Sequence, residues 1–153
     1  MTSFEELLAQ DGKLVYKTKG VSMQPMLTEN RDLVIIAVPE GRLKPGDVAF
    51  YRRGKDYVLH RVIRVLEDGY LIRGDNTYVL ERVPESAVLG VLTAFNRKGK
   101  LHRVTEPGYR RYVRLWTALY PLRAFRYRSL GLAKAAARRT GLTPVIKRLV
   151  GHE

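Results

Sequence analysis

Between residue 13 and about residue 104, hydrophobic and polar side chains alternate in short segments separated by turn residues. The segments that alternate or are rich in β-branched residues are 14–18, 33–38, 48–51, 57–66, 70–73, 87–95 and 100–104. Turn signals stand between them, such as Pro45-Gly46-Asp47, Asp68-Gly69 and residues 96–99. Period-two alternation is typical of strands with one buried face. Because no long helix intervenes, the pattern predicts a mainly β fold, a compact twisted antiparallel sheet or partial barrel.

Helical patterns are confined to the two ends of the sequence. Residues 2–10 form a predicted short helix that Thr2 or Ser3 can cap. After Pro107-Gly108, residues 109–120 place apolar side chains at helical spacing, and Pro121 is predicted to stop or kink that helix. Residues 131–139 and 143–150 are predicted to be further short helices. We therefore expect a β domain with its N-terminal helix over residues 1–105 and a helical extension over residues 106–153.

The composition excludes several kinds of site. The 153 residues contain no cysteine, which excludes disulfides, thiolate metal sites and cysteine nucleophiles. No group of histidines and carboxylates has metal-ligand spacing, so neither a metal nor a cofactor is expected. The first residues lack the pattern of a signal peptide, and no apolar run approaches the roughly 18 residues that span a bilayer. The sequence therefore predicts a soluble, cytoplasmic protein.

The formal net charge of +13 is concentrated towards the C-terminus. Residues 103–153 hold twelve basic and two acidic residues, whereas residues 1–102 hold sixteen and thirteen. One interpretation is a solvated basic face on helices that pack against the β domain. Another is peripheral contact with an anionic membrane or an acidic partner. Nucleic acid is not expected as the partner because no groove-reading motif is present. The residues assigned to membrane contact are Arg110, Arg111, Arg114, Arg123, Arg126 and Arg128.

Three residues could form a hydrolytic site. Ser22 follows the turn-permitting Gly20, His60 lies in the middle of a predicted strand, and Asp75 follows Gly74 at a strand end. A serine hydroxyl needs a base to become a nucleophile, and a histidine with a pKa of about 6.5 needs little adjustment for that role. An acid beside the histidine would orient it. The structural alternatives are a turn serine, a core histidine and a turn aspartate.

Four ordered motifs resemble those of the type I signal peptidase superfamily, which includes the self-cleaving SOS-type repressors. They are Gly20-Val21-Ser22-Met23-Gln24-Pro25, Lys44-Pro45-Gly46-Asp47-Val48, His60-Arg61-Val62-Ile63 and Arg73-Gly74-Asp75-Asn76. A histidine at position 60, where most bacterial members have lysine, is similar to the endoplasmic-reticulum, archaeal and sporulation-associated branch. The resemblance implies a Ser22 nucleophile, a His60 general base and an orienting Asp75. It also implies that the Ser22 N–H contributes to an oxyanion hole, that Gly20 admits substrate, and that Met23 and Pro25 shape the cleft floor.

The chain departs from that superfamily in two ways: it lacks a membrane anchor, and its β domain is shorter than in lysine-type enzymes. These departures count against ordinary secretory signal-peptide removal and favour a compact, soluble member that removes leader segments from small ribosomally made peptides. The overall expectation is removal of signal- or leader-type segments from peptide or protein precursors. The predicted function is therefore that of a serine endopeptidase working through an acyl-enzyme. The alternative is a catalytically idle binding module of the same fold, whose basic helices bind nucleic acid, an anionic membrane or a partner protein.

Overall fold

The computed structural model describes residues 3–139, and the chain divides into two compact units, Met1–Arg114 and Leu115–Glu153. The first unit begins with helix α1, Phe4–Asp11. Ser3 caps α1 through a capping box, in which its hydroxyl accepts from the Glu6 N–H and the Glu6 carboxylate accepts from the Ser3 N–H. The predicted N-terminal helix is thus confirmed, with Ser3 as its cap.

Eight antiparallel strands follow and form one sheet that curls into a half-barrel, so the predicted mainly β class is confirmed. Its order is β1-β2-β7-β3-β4-β5-β6, and β8 pairs with β7. The strands are β1 Lys13–Lys17, β2 Leu33–Ala37, β3 Val48–Arg53, β4 Asp56–Val65, β5 Gly69–Arg73, β6 Glu81–Pro84, β7 Val88–Arg97 and β8 Lys100–Arg103. Strand β6 and the short 3-10 helix Glu85–Ala87 were not among the predicted elements.

Alternation along the strands divides the core into two hydrophobic clusters. On β3 and β4, Phe50 and Leu59 belong to the first cluster, which also takes in Met23, Met26 and Leu27 from the loop after β1. Tyr51, Val58 and Val62 belong to the second cluster, with residues of β5 and β6. Successive residues of a strand point to opposite faces. His60 therefore shares a face with Val58 and Val62, whereas Arg61 shares a face with Leu59.

Two helices follow the sheet: α2, Pro107–Ala118, and α3, Tyr120–Arg139. The predicted interruption near Pro121 is confirmed as a break at Leu119, one residue before α3 begins. The separate helix predicted over residues 131–139 was wrong, because α3 continues through Gly131 as a single helix. The helix predicted over residues 143–150 lies outside the described residues. Within residues 3–139, no helix is both long enough and apolar enough to cross a membrane.

Candidate active site

A cleft of about 930 Å³ in the first unit has Ser22, His60 and Glu81 in its lining. Its walls come from α1 and β1, from the loop after β1, from β4, and from the segment that joins β5 to β6. Aromatic side chains form part of it, and Phe4 packs edge-on against Tyr57 with ring centroids 4.9 Å apart. The volume falls in the range of pockets that bind small ligands or peptide segments.

The loop after β1 holds Ser22 in a turn whose following residues are anchored in the core. The Gln24 N–H donates to the Val21 carbonyl at 3.2 Å, and the Leu27 N–H donates to the Met23 carbonyl at 3.0 Å. Met23 and Leu27 are buried in the first hydrophobic cluster. Ser22 itself is half-buried and lines the cleft.

Of the three other residues expected around Ser22, two line the cleft and one does not. Gly20 lines the cleft with a positive φ of 77°, a conformation that glycine adopts without strain, and its N–H donates to Glu29 at 2.9 Å. Met23 also lines the cleft. Pro25 is exposed and is not part of the cleft lining, which corrects the expectation that it shapes the floor. The chain turns Pro25 outwards because Met23, Met26 and Leu27 take the inward positions.

Gly74 is the point at which Ser22 and His60 converge. A Cβ atom on Gly74 would lie 2.6 Å from the Ser22 carbonyl oxygen and 3.1 Å from both the Ser22 Cβ and the His60 Nε2. The serine Cβ and the imidazole Nε2 are therefore at most about 6.2 Å apart. Among the described residues, no hydrogen bond joins the Ser22 hydroxyl to His60. Such bonds are often long until a substrate is bound.

Asn76 ties the turn after β5 to the serine loop. Its backbone N–H donates to the Ser22 carbonyl at 2.8 Å, and its side-chain amide donates to the Val21 carbonyl at 3.2 Å. The Thr77 N–H donates to the Gly74 carbonyl at 3.2 Å and closes the turn. Asn76 had no role in the sequence-based site, although it belongs to the Gly-Asp-Asn motif. It positions the backbone on either side of Ser22.

The imidazole of His60 is buried, and its two nitrogens have different surroundings. Nδ1 lies 3.2 Å from Glu81 Oε1 and 3.2 Å from the Tyr51 hydroxyl oxygen. That hydroxyl donates to Glu81 Oε2 at 3.1 Å, and Arg53 donates to both oxygens of Glu81. A carboxylate can only accept, so the neutral ring places its proton on Nδ1 and its lone pair on Nε2. Nε2 is the nitrogen beside Gly74 and Ser22.

Burial lowers the pKa of His60 below its usual value of 6.5, and the nearby Arg53 cation acts in the same direction. The negative charge of Glu81 opposes this shift only in part. His60 is therefore neutral at neutral pH, the form that a general base requires. Burial and the Glu81 carboxylate raise the pKa of Tyr51, which keeps its hydroxyl protonated as a donor to Glu81.

Asp75, the expected orienting acid, has other hydrogen-bond partners. Arg61 Nε and Nη2 donate to its two oxygens at 2.7 Å each, and the Tyr112 hydroxyl donates at 2.9 Å. Arg61 and Asp75 are both buried. The guanidinium lies on the face of β4 opposite His60, because neighbouring strand residues alternate in direction. The expected contact between Asp75 and His60 is therefore replaced by the contact between Glu81 and His60.

Sequence reasoning missed Glu81 together with Tyr51 and Arg53. The sheet register supplies the signal that was lacking: Val62 pairs with Ile72, and Ile72 pairs with Glu81, so Glu81 shares the face of His60. Because β6 was not predicted, the pairing of Ile72 with Glu81 could not be derived from the sequence. Asp75, by contrast, belongs to one of the four sequence motifs, which is why it was expected to orient His60.

The basic residues assigned to membrane contact lie on α2 and α3. Arg110, Arg111, Arg114, Arg126 and Arg128 are exposed, and Arg123 is half-buried over the ring of Trp116, 3.7 Å from its centroid. Comparison of the sequence with family models and with curated proteins gave no match.

Proposed function

We propose that the chain is a serine endopeptidase that removes signal- or leader-type segments from peptide or protein precursors. The observation that carries the proposal is the polarity of His60: Nδ1 contacts the carboxylate of Glu81, and Nε2 lies beside the serine loop in a cleft. A nucleophile, a base and an acid that orients the base are the parts of a serine hydrolase site. In this proposal Glu81 replaces Asp75 as the third member.

The reaction begins when Ser22 Oγ attacks the carbonyl carbon of the scissile peptide bond while His60 Nε2 takes the hydroxyl proton. The negative charge that develops on the carbonyl oxygen needs N–H donors, and the backbone N–H of Ser22 is one candidate. The C–N bond then breaks as the imidazolium gives its proton to the leaving amine, which leaves an ester on Ser22. Water, deprotonated by His60, attacks this ester; the bond between the acyl carbon and Ser22 Oγ breaks as the imidazolium returns the proton to Oγ, which releases the new carboxyl terminus and the free serine.

The motif resemblance supports the substrate class, since four ordered motifs of the signal peptidase superfamily fall on residues that surround this cleft or brace it. Ser22 and His60 line the cleft, and Asn76 holds the serine loop. Arg61 and Asp75, from the same motifs, form the buried pair on the opposite face of β4. The cleft is lined by residues of α1, β1 and β4, so a bound peptide segment could contact all three elements.

The test is cleavage of a peptide library, with new termini mapped by mass spectrometry. We compare the wild type with Ser22→Ala and with Ser86→Ala, which removes an exposed hydroxyl outside this cleft. We expect cleavage by the wild type and by Ser86→Ala, and a loss of at least about 10³-fold in Ser22→Ala. Cleavage that survives in Ser22→Ala would contradict the proposal. No cleavage by any variant would favour the idle binding module.

A further inference from the structure

Helix α3 carries an apolar stripe that faces solvent. Residues 122, 125, 129, 132 and 136 recur at alternating intervals of three and four, which places them on one face of a helix. Leu122, Phe125 and Leu132 are 65%, 72% and 73% exposed. Ser129 and Ala136, the small members of the stripe, are exposed too. The largest apolar side chains of this face are thus left in water, where each of them is unfavourable.

Basic residues border the stripe on both sides. At about 100° per residue, Arg126 lies about 80° to one side of the centre of the stripe and Arg128 about 80° to the other. Both are exposed. No acidic residue occurs between Glu106 and Glu153, so no carboxylate of α2 or α3 can neutralise these cations. Arg123 is held differently, since it stacks on Trp116 and donates to the Trp116 carbonyl at 2.8 Å.

A partner of this face must cover the apolar stripe and also carry negative charge opposite the bordering arginines. A second copy of α3 packed on the stripe would bring Arg126 and Arg128 towards like charges. A nucleic acid would neutralise the arginines but leave Leu122, Phe125 and Leu132 exposed to water. The boundary between headgroups and acyl chains of an anionic bilayer satisfies both features at once.

We propose that α3 docks on an anionic lipid bilayer, lying in the plane of the surface. Phe125 and the two stripe leucines enter the boundary between headgroups and acyl chains, and Arg126 and Arg128 remain at the level of the lipid phosphates. Each basic residue at such a surface strengthens binding by about fivefold at moderate ionic strength. The proposal is independent of the peptidase chemistry, because it uses only residues of α3.

The test measures co-sedimentation of the full chain with vesicles of phosphatidylcholine, with and without phosphatidylglycerol. The stripe variants are Phe125→Ser and Leu132→Ser, and their matched control is Leu130→Ser, whose side chain is half exposed but lies about 120° from the stripe centre. The charge variant is Arg126→Gln with Arg128→Gln, and its control is Lys134→Gln on the opposite side of the helix. Circular dichroism verifies that each variant keeps its helix content.

We expect the wild type to bind phosphatidylglycerol vesicles and not pure phosphatidylcholine, with binding that weakens as salt is added. The double arginine variant should bind about 25-fold more weakly. Each stripe variant should lose at least about tenfold, and the controls should lose less than about fivefold. Absence of binding at low salt would overturn the proposal, as would full binding by the stripe variants. Stronger binding to duplex nucleic acid, or self-association that Phe125→Ser abolishes, would assign the face to another partner and also overturn it.

Discussion

The catalytic proposal depends on a single imidazole whose two nitrogens cannot exchange roles. Glu81 and Tyr51 surround Nδ1, while Nε2 lies beside Gly74 and the serine loop. Arg53 contacts both oxygens of Glu81 and so fixes the carboxylate at the edge of the cleft. The proton of the neutral ring is thereby kept on the nitrogen that faces away from the proposed nucleophile.

Replacement of Glu81 by glutamine should change the tautomer of His60 while the fold is kept. The amide of Glu81→Gln can donate to Nδ1, which moves the ring proton to Nε2 and blocks proton uptake from Ser22. We expect kcat to fall by about 10²- to 10⁴-fold, the size of effect seen when a serine hydrolase loses its orienting carboxylate. Steady-state kinetics on a mapped peptide measures it, with Asp56→Asn, another carboxylate of the cleft lining, as the control. Full activity in Glu81→Gln, together with its loss in Asp75→Asn, would return the orienting role to Asp75.

The pH dependence of cleavage should reflect the depressed pKa of His60. Burial disfavours the imidazolium, so the reactive neutral form persists below the usual value of 6.5. We expect kcat/KM to rise with pH, to reach half its maximum below pH 6.5, and to stay level from about pH 7 upwards. A pH series on one peptide measures this. A profile that rises only above about pH 9 would indicate a lysine base instead.

At the scale of elements, strand β4 carries the proposed base on one face and a supporting arginine on the other. His60 faces the cleft, and Arg61 on the other side binds Asp75, the Gly46 carbonyl and the hydroxyl of Tyr109. Through these bonds β4 holds the turn after β5 and the first turns of α2. The same turn carries Asn76, which fixes the serine loop. Residues 74 to 76 thus contact both the candidate site and the buried Arg61–Asp75 pair that supports it.

Loss of the Asp75 carboxylate should lower the free energy of unfolding more than it lowers the rate of cleavage. In Asp75→Ala the Arg61 guanidinium stays buried without its counter-ion, and breaking such a pair lowers the free energy of unfolding by about 3–5 kcal/mol. Tyr112→Phe removes one hydrogen bond to the same carboxylate and should cost about 1.5–3 kcal/mol. Urea denaturation measures both. The control is Asp68→Ala, which breaks an exposed pair with Arg82 and should change little. Equal effects at positions 75 and 68 would contradict this account.

The absence of a side chain at Gly74 should be required for the site to assemble. An alanine Cβ there would lie 2.6 Å from a backbone oxygen, so the turn and the serine loop must move apart. We expect Gly74→Ala to lower stability by about 1–3 kcal/mol and activity by about 10²-fold. Thermal unfolding and kcat on one peptide report the two effects. Gly108→Ala is the matched control, because a Cβ at Gly108 meets nothing within 4 Å. Normal activity in Gly74→Ala would show that the loops are not held as closely as described.

The elements that sequence reasoning recovered are those defined by local signals. Alternation and the Asp68-Gly69 turn sufficed for β5, and the capping box sufficed for α1. Strand β6 has four residues, ends in Pro84 and pairs only with β5, so its position depends on a long-range register. Since β6 carries Glu81, the same omission explains why sequence reasoning did not consider Glu81 as a partner of His60. Gly131 was treated as a helix boundary, but one glycine costs a helix only about 1 kcal/mol.

At the scale of the whole molecule, the candidate site lies in one unit and the larger excess of basic over acidic residues in the other. Residues 1–114 carry twenty basic and fourteen acidic residues, and residues 115–153 carry eight and one. All residues of the candidate site lie in the first unit, whereas the stripe of α3 lies in the second. Trp116, the single tryptophan, also lies in the second unit.

Acid should destabilise the first unit through His60. Because its pKa is lowered on folding, the unfolded chain binds a proton at a higher pH than the native state does. The contribution of His60 to the free energy of unfolding is therefore fully present above about pH 6.5. It declines as the pH falls towards the folded-state pKa, with a slope of at most about 1.4 kcal/mol per pH unit. Asp32, whose pKa is lowered chiefly by its bonds to Arg31 and Thr28 against the effect of burial, contributes only as the pH falls below its ordinary value of 3.8. The interval between about pH 5 and 6.5 thus lies above the range in which Asp32 contributes.

Native-state hydrogen exchange of β3 and β4 amides, analysed at several pH values, measures that stability. We expect the slope between pH 5 and 6.5 in the wild type and its loss in His60→Gln, which cannot be protonated. A slope that persists in His60→Gln would assign the transition to other groups. Stability that increases as the pH falls would mean that the folded state holds a charged imidazole beside Glu81. In that case a smaller fraction of His60 would be neutral near pH 7, and the proposed proton transfer from Ser22 would reach its full rate only at a higher pH.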